Sequence, residues 1–166
     1  MHCTFAPLLL AICILCCDVD ECLISDHCRQ ALVTGGGQGL GGTIALAMAR
    51  AGADVVLSYS TSADKAMAIG EEIIGMGRRA VAFQADVGDT TQCQELAERA
   101  EKAYGQVDIL ISNAGMGQGH GVVNTTDAEW DRTMNVNARA TFALARALLP
   151  RMCKRKFGAS RASFLN

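Results

Sequence analysis

The chain has 166 residues, half of them hydrophobic, with 17 glycines, a formal net charge of −2 and a pI near 5.9. That composition allows one domain with a short appendage and argues against a disordered chain, and without a global basic field nucleic acid is not an expected partner. Six of the eight cysteines lie in the first 28 residues, so the body, with only Cys93 and Cys153, reads as a cytoplasmic-type domain rather than a disulfide-stapled secreted module.

Residues 1–28 form an atypical Cys-rich apolar leader, read as lying outside the fold. Its run "FAPLLLAICILCC", residues 5–17, is shorter than the roughly 20 residues a membrane helix needs. It has the length of a signal-peptide core, yet "MHCT" before it brings no Lys or Arg and no small-x-small cleavage site follows. Signal or membrane association of this run stays open. Cys13-x-x-Cys16 lacks the second ligand pair zinc requires, and no metal site is expected. "DVDECLISDHC" resembles the opening of a calcium-binding growth-factor-like module but lacks the cysteines that would have to follow.

From Arg29 the pattern becomes regular. "QALVT" is a short apolar strand ending in a glycine cluster. "LGGTIALAMARAGA" has the small-residue texture of a helix packed closely on a sheet, with Gly52 at its C-terminal cap. "DVVLSY" is a second strand. Ser62 caps a helix running to about Met76, with Ala66, Ile69, Ile73 and Met76 at helical spacing. "AVAFQAD" is a third strand. Asp89 opens a helix with Gln92 placed as in a capping box, and Cys93, Leu96, Ala97, Ala100 and Tyr104 line one face of it. "VDILISNAG" is a fourth strand, apolar almost throughout, as a strand covered on both faces must be.

After a glycine-rich loop a single long helix is expected over 127–152, with Trp130 packing its start. Met134, Ala138, Phe142, Ala145 and Leu149 form one stripe, and Val136, Ala140, Ala143, Leu144 and Leu148 widen the apolar surface. A helix apolar on more than one side packs between a sheet and something else, such as a partner subunit. Strands alternating with helices predict an α/β fold with a doubly wound, Rossmann-like parallel sheet of about four strands in the order 3-2-1-4. The predicted domain covers 29–158, followed by an irregular tail, 159–166.

"TGGGQGLGG" lies between the first strand and the first helix. The pattern needs little space where a pyrophosphate must approach: Gly35 permits a sharp turn, Gly39 and Gly41 remove side chains, and the N–H groups of the helix start are free to meet phosphates. Thr34-Gly35-x-x-x-Gly39-x-Gly41 resembles the short-chain dehydrogenase/reductase family, and later motifs agree. Asp86-Val87 ends the third strand, where the family places an Asp at the adenine. Asn113-Ala114-Gly115 matches its Asn-Ala-Gly motif beside the cofactor ribose. "NVNARATF" resembles its long-helix motif, with Asn137 on the catalytic Asn. The resemblance covers roughly 29–158 and implies a cofactor site of Thr34, Gly35, Gly37, Gln38, Gly39, Leu40, Gly41, Tyr59, Ser60, Asp86, Val87, Asn113, Ala114 and Gly115. It implies a nicotinamide dinucleotide. NADP(H) is favoured over NAD(H), because the second strand ends in Ser58 and Tyr59 with no carboxylate for the ribose hydroxyl, and Ser60, Thr61 and Ser62 can donate to a 2′-phosphate. Gln38, however, stands where a phosphate-reading Arg or Lys is often found.

The family moves hydride between the nicotinamide and a small carbonyl or alcohol substrate, with a Tyr supplying the proton, a Lys four residues later lowering that Tyr's pKa, and a Ser positioning the oxygen. Tyr59 is followed four positions on by Ala63, and Tyr104 by Asp108. Ser160 and Ser163 follow no apolar strand. No catalytic Ser, Tyr or Lys is therefore assigned; of the family's catalytic set only Asn137 is matched. The expectation is a family member truncated before its proton-transfer residues and confined to cofactor binding. Its fourth strand becomes an apolar edge, and the chain alone should be marginal, aggregation-prone or partner-dependent. A non-catalytic dimerising or regulatory subunit, pairing with a full-length relative through helix 127–152, and an incomplete gene product stay open beside it. His120 reads as a solvated loop residue, and the cations from Arg151 to Arg161 as complements of a helix C-terminus.

Overall fold

The computed structural model describes Ile12–Cys13 and residues 29–154. Four parallel strands, β2 (Gln30–Val33), β3 (Asp54–Tyr59), β4 (Ala80–Gln84) and β5 (Ile109–Ser112), are connected by helices α1 (Gly39–Arg50), α2 (Ala63–Gly75) and α3 (Thr90–Tyr104). They lie in the order β5-β2-β3-β4, which is the expected 3-2-1-4 sheet read from its other edge. Ala31 stands beside both Val55 and Ile109, so β2 is the central strand on which the chain reverses its direction of travel across the sheet. Within the leader, β1 (Ile12–Cys13) pairs antiparallel with β5, Ile12 opposite Ser112 and Cys13 opposite Ile111. The edge expected at the fourth strand thus carries a two-residue partner, as free backbone groups on an apolar edge invite. The remaining leader, with Cys16 and "DVDECLISDHC", and the tail 159–166 lie outside the described residues.

Both faces of the sheet are covered, and the period-two alternation of side chains sorts residues between two cores. Ala31, Val33, Val55, Leu57, Ile109 and Ile111 point to the face covered by α1 and α2, against Ala45, Ala49 and Ile73. Leu32, Val56 and Leu110 point to the other face, against Cys93, Leu96, Ala97 and Ala100 of α3 and Leu144 and Leu148 further along the chain. The small residues of α1 let it approach closely: a Cβ on Gly42 would come within 2.5 Å of Ile69 Cδ1 on α2. Asp54 opens β3, is 2% exposed, and is closed over by Arg78 and Arg79 at 3.0 and 2.8 Å.

The expected single helix over 127–152 is instead two α-helices around a π-helical turn: α4 (Asp127–Met134), the turn Asn135–Arg139, and α5 (Ala140–Lys154). A π turn carries an extra residue, which shifts the phase of the side chains that follow it. Of the two apolar sets on this stretch, the one that starts at Val136 faces the sheet, and Met134 and Phe142 of the other face outward. Val136, Ala140, Ala143, Leu144, Leu148 and Met152 enter the core, while Met134 and Phe142 are 43% and 61% exposed. Trp130 is 55% exposed and does not pack the helix start as expected. That start is held by a capping box instead, Thr126 with Glu129. The capping box expected at α3 is different in detail: Asp89 accepts from Thr91 N, but Gln92 reaches back to Asp86 N.

Candidate functional site

The site grows from the carboxyl end of β2. Thr34 is buried there, and its hydroxyl donates to the Ile111 carbonyl at 3.4 Å and accepts from Asn113 N and Ala114 N at 3.0 and 3.1 Å. One side chain thereby joins the ends of β2 and β5. Asn113 returns the connection, its Nδ2 donating to the Thr34 and Gly35 carbonyls at 3.0 and 3.4 Å. Gly35 turns the chain with φ +63°, and Gly39, at φ +55°, opens α1; both values favour glycine. Gly41 answers a different need. A Cβ there would stand 2.2 Å from the Gly35 carbonyl oxygen and 2.4 Å from Asn113 Nδ2, so the loop closes on its own helix only because that carbon is missing.

A cleft of about 440 Å³ opens above this loop, at the carboxyl ends of the parallel strands. Of the expected cofactor residues, Gly35, Gln38, Gly39, Leu40, Gly41, Tyr59, Ser60, Asp86, Val87, Asn113, Ala114 and Gly115 line it. Thr34 lies beneath the lining as the strand staple. Gly37 is buried against α2, where a Cβ would meet Ser62 Oγ at 2.8 Å. Gln38 occupies the N-cap position of α1 but makes no side-chain cap bond, leaving the first turn of that helix without a side-chain acceptor.

Ser58, Thr61, Ser62, Ala85, Met116, Arg132 and Val136 complete the lining. Arg132 and Val136, four residues apart on the chain that joins α4 to the π turn, were not assigned from sequence. Their spacing on one helical face is the signal that could have found them. Arg132 bonds Asp86 Oδ1 at 2.8 Å, and the Gly88 N–H reaches the same oxygen at 2.9 Å. The Arg132 bond, followed by the Gly88 N–H, holds the Asp86 carboxyl below its ordinary range despite partial burial. Ser58 is 1% exposed, and its hydroxyl has no hydrogen-bond partner among the described residues. At the rim, Lys65 of α2 donates to Gln38 Oε1 at 2.9 Å.

Asn137 sits in the π turn. Its Oδ1 accepts from Met116 N at 2.9 Å and its Nδ2 donates to Met116 O at 2.8 Å, so the amide clasps one residue of the loop after β5 as a neighbouring strand would. Tyr104 is not part of the cleft lining. It packs beneath the Arg79 guanidinium, 4.4 Å away, and burial pushes its phenol up to about 12. His120 lies 3.4 Å from Glu129 in the exposed loop. Among the described residues no group of three His, Cys, Asp or Glu side chains could hold a metal, and no helix is long and apolar enough to cross a membrane.

The chain matches the short chain dehydrogenase family over residues 29–159. It is 39% identical over 121 residues to a short-chain dehydrogenase/reductase, FrzI, of a Cladobotryum species, covering 73% of this chain and 47% of the relative. It is 40% identical over 118 residues to versicolorin reductase 1 of Dothistroma septosporum, covering 71% and 45%. Among solved structures it is similar to a short chain dehydrogenase from Burkholderia cenocepacia crystallised in complex with NADP. That match has a TM-score of 0.72 and 39% identity over 74% of this chain and 50% of the other. The chain thus spans about half the length of the relatives it matches.

Proposed function

The chain belongs to the short-chain dehydrogenase family, and from that premise we propose that its cleft holds a nicotinamide dinucleotide, NADP(H) in preference to NAD(H). The observation that carries this reading is the cleft itself. It lies at the carboxyl ends of β2, β3 and β5, where the strand order reverses, and the uncapped start of α1 forms part of its wall. The residues present fit such a ligand. The backbone N–H groups of Gly39, Leu40 and Gly41 would meet the pyrophosphate, as a helix N-terminus suits an anion. The orphaned Ser58 hydroxyl lies buried in the same wall. Asp86 and Val87 would border the adenine, and Asn113, Ala114 and Gly115 the ribose nearer the nicotinamide. The likeness to a structure that contains NADP supports the phosphorylated form.

When bound, the nicotinamide gives or accepts the hydride that the family moves to or from a carbonyl or alcohol carbon. The part played by this chain's own residues is binding and positioning. Thr34 and Asn113 keep the loop and β5 in register, and Asn137 fixes the Met116 backbone at the lip of the cleft. Neither tyrosine has a lysine four residues on, so a chain of residues 1–166 is proposed to bind cofactor without turnover. Reduction of a small carbonyl compound, or the reverse oxidation, is the proposed activity of a protein that carries this cleft together with the proton-transfer residues.

Titration of the purified chain with NADPH and NADH, followed by nicotinamide fluorescence, tests the reading. Saturable binding is expected for NADPH, and a folded sample that holds neither cofactor at millimolar concentration refutes it. A second reading rests on Met134 and Phe142, large apolar side chains left exposed along α4 and α5. These helices are proposed to pair with a second copy or a longer relative, and sedimentation showing only monomer at high concentration would rule out self-pairing.

A further inference from the structure

The loop residue that often carries a phosphate-reading cation is a neutral glutamine in this chain, and the structure shows which side chain stands next to it. Lys65, in the first turn of α2, donates to Gln38 Oε1 at 2.9 Å although the two residues are 27 apart in sequence. Gln38 lines the cleft together with Ser60, Thr61 and Ser62, so Lys65, though not itself a lining residue, has its ammonium tied to one of the residues that form that wall. Among the described residues no carboxylate pairs with Lys65. The nearest acid in sequence, Asp64, is its immediate neighbour on a helix, and adjacent residues there point apart. The stretch 55–63, from the body of β3 to the start of α2, contains no Asp or Glu.

Resting on the dinucleotide reading above, we infer that Lys65 is the cation by which this chain recognises the 2′-phosphate of NADP(H), with Gln38 holding it in place. The chemistry suits the task. An ammonium has three donors, and Gln38 Oε1 takes one of them. The others remain for phosphate oxygens, and the hydroxyls of Ser60 and Thr61 add neutral donors. A glutamine at position 38 neither repels the phosphate nor neutralises the lysine. The positive charge that meets the phosphate therefore comes from the second helix of the fold, and the glycine loop supplies its anchor, Gln38.

The test compares wild-type protein with Lys65→Met and Lys65→Arg, using fluorescence titration of NADPH and NADH at low and high salt, with thermal unfolding as the check on folding. Lys65→Met should weaken NADPH binding about tenfold, the loss expected for one charge-assisted bond at an exposed site, and leave NADH within about twofold. Lys65→Arg should restore most of the preference. Added salt should erode the wild-type preference for NADPH and have little effect on Lys65→Met. A folded Lys65→Met protein with the wild-type ratio of affinities overturns the assignment and leaves the cofactor site standing. Wild-type protein that binds both cofactors equally also overturns it. If folded wild-type protein binds neither, the assignment falls together with the site.

Discussion

Replacing Gly41 by alanine should destabilise this protein, although alanine is the better helix former. Gly41 lies in the first turn of α1, where helix propensity alone favours alanine by about 1 kcal/mol. Packing reverses that sign. The new Cβ would meet the Gly35 carbonyl oxygen at 2.2 Å and Asn113 Nδ2 at 2.4 Å, distances that real carbons do not adopt. Neither neighbour can yield freely, because Asn113 Nδ2 is bonded to the carbonyls of both Thr34 and Gly35. Relief requires the Gly35 peptide to withdraw from the helix and the Asn113 amide to let go. Overpacking of this kind costs about 1–3 kcal/mol, and two released hydrogen bonds add about 1 kcal/mol each. Against the helix gain, a net loss of about 2–4 kcal/mol follows. Urea unfolding monitored by circular dichroism would read it as a lower midpoint at unchanged slope. Gly75→Ala is the matched control: it ends α2, with ordinary φ and nothing near its added carbon, and should stabilise by up to about 1 kcal/mol. If Gly41→Ala is as stable as wild type, the close approach of loop and helix described here is wrong.

Asp54 gives a pH-dependent effect. Burial alone would raise its carboxyl, but the Arg79 N–H and guanidinium and the Arg78 charge outweigh it, and the net shift is downward. A depressed carboxyl stabilises the fold above its unfolded value near 3.9, and that contribution disappears as pH falls through the folded value. Asp54→Asn should therefore lower stability by about 2 kcal/mol at pH 7, with the gap to wild type closing below about pH 4; a gap independent of pH would contradict the pairing. Asn137→Ala removes both bonds to Met116 and should speed amide exchange there about tenfold, an effect that deuterium exchange with mass spectrometry would detect and whose absence would show the clasp to be dispensable. The Cys93 thiol is pushed up to about 11 by burial, with Asp89 and Asp86 adding to it, whereas Cys153 is exposed. Iodoacetamide at neutral pH, read by peptide mass mapping, should label Cys153 and leave Cys93 untouched until urea is added. Equal labelling of the two in the folded protein would disprove the burial.

Much of the fold was legible because its signals are local. Val55, Val56 and Leu57 form a continuous apolar run, which marks a strand covered on both sides. Ala66 and Ile73 recur at helical spacing, and the glycines after Val33 interrupt the strand where a turn is needed. Each of these follows from residues within a few positions of one another, and alternation with helices then restricts the sheet to a small set of orders. The break at Asn135–Arg139 was not legible, since no proline or glycine marks it. A π turn there is compatible with the residues but not demanded by them.

The amino-acid order by itself determined which kinds of group this protein could bring to a cofactor: a glycine loop opening a helix, hydroxyls after the second strand, Asn at the ends of a strand and in the long helix. Tertiary structure alone decided how they are engaged. Asn113 is bonded to Thr34 from 79 positions away, Arg132 holds Asp86 across 46, and Lys65 finds Gln38 across 27. Local pattern reports which face of an element is apolar because that follows from the geometry of one helix or strand. It carries no record of which polar atoms meet once the sheet is wound, because those distances are set by the packing of whole elements against one another.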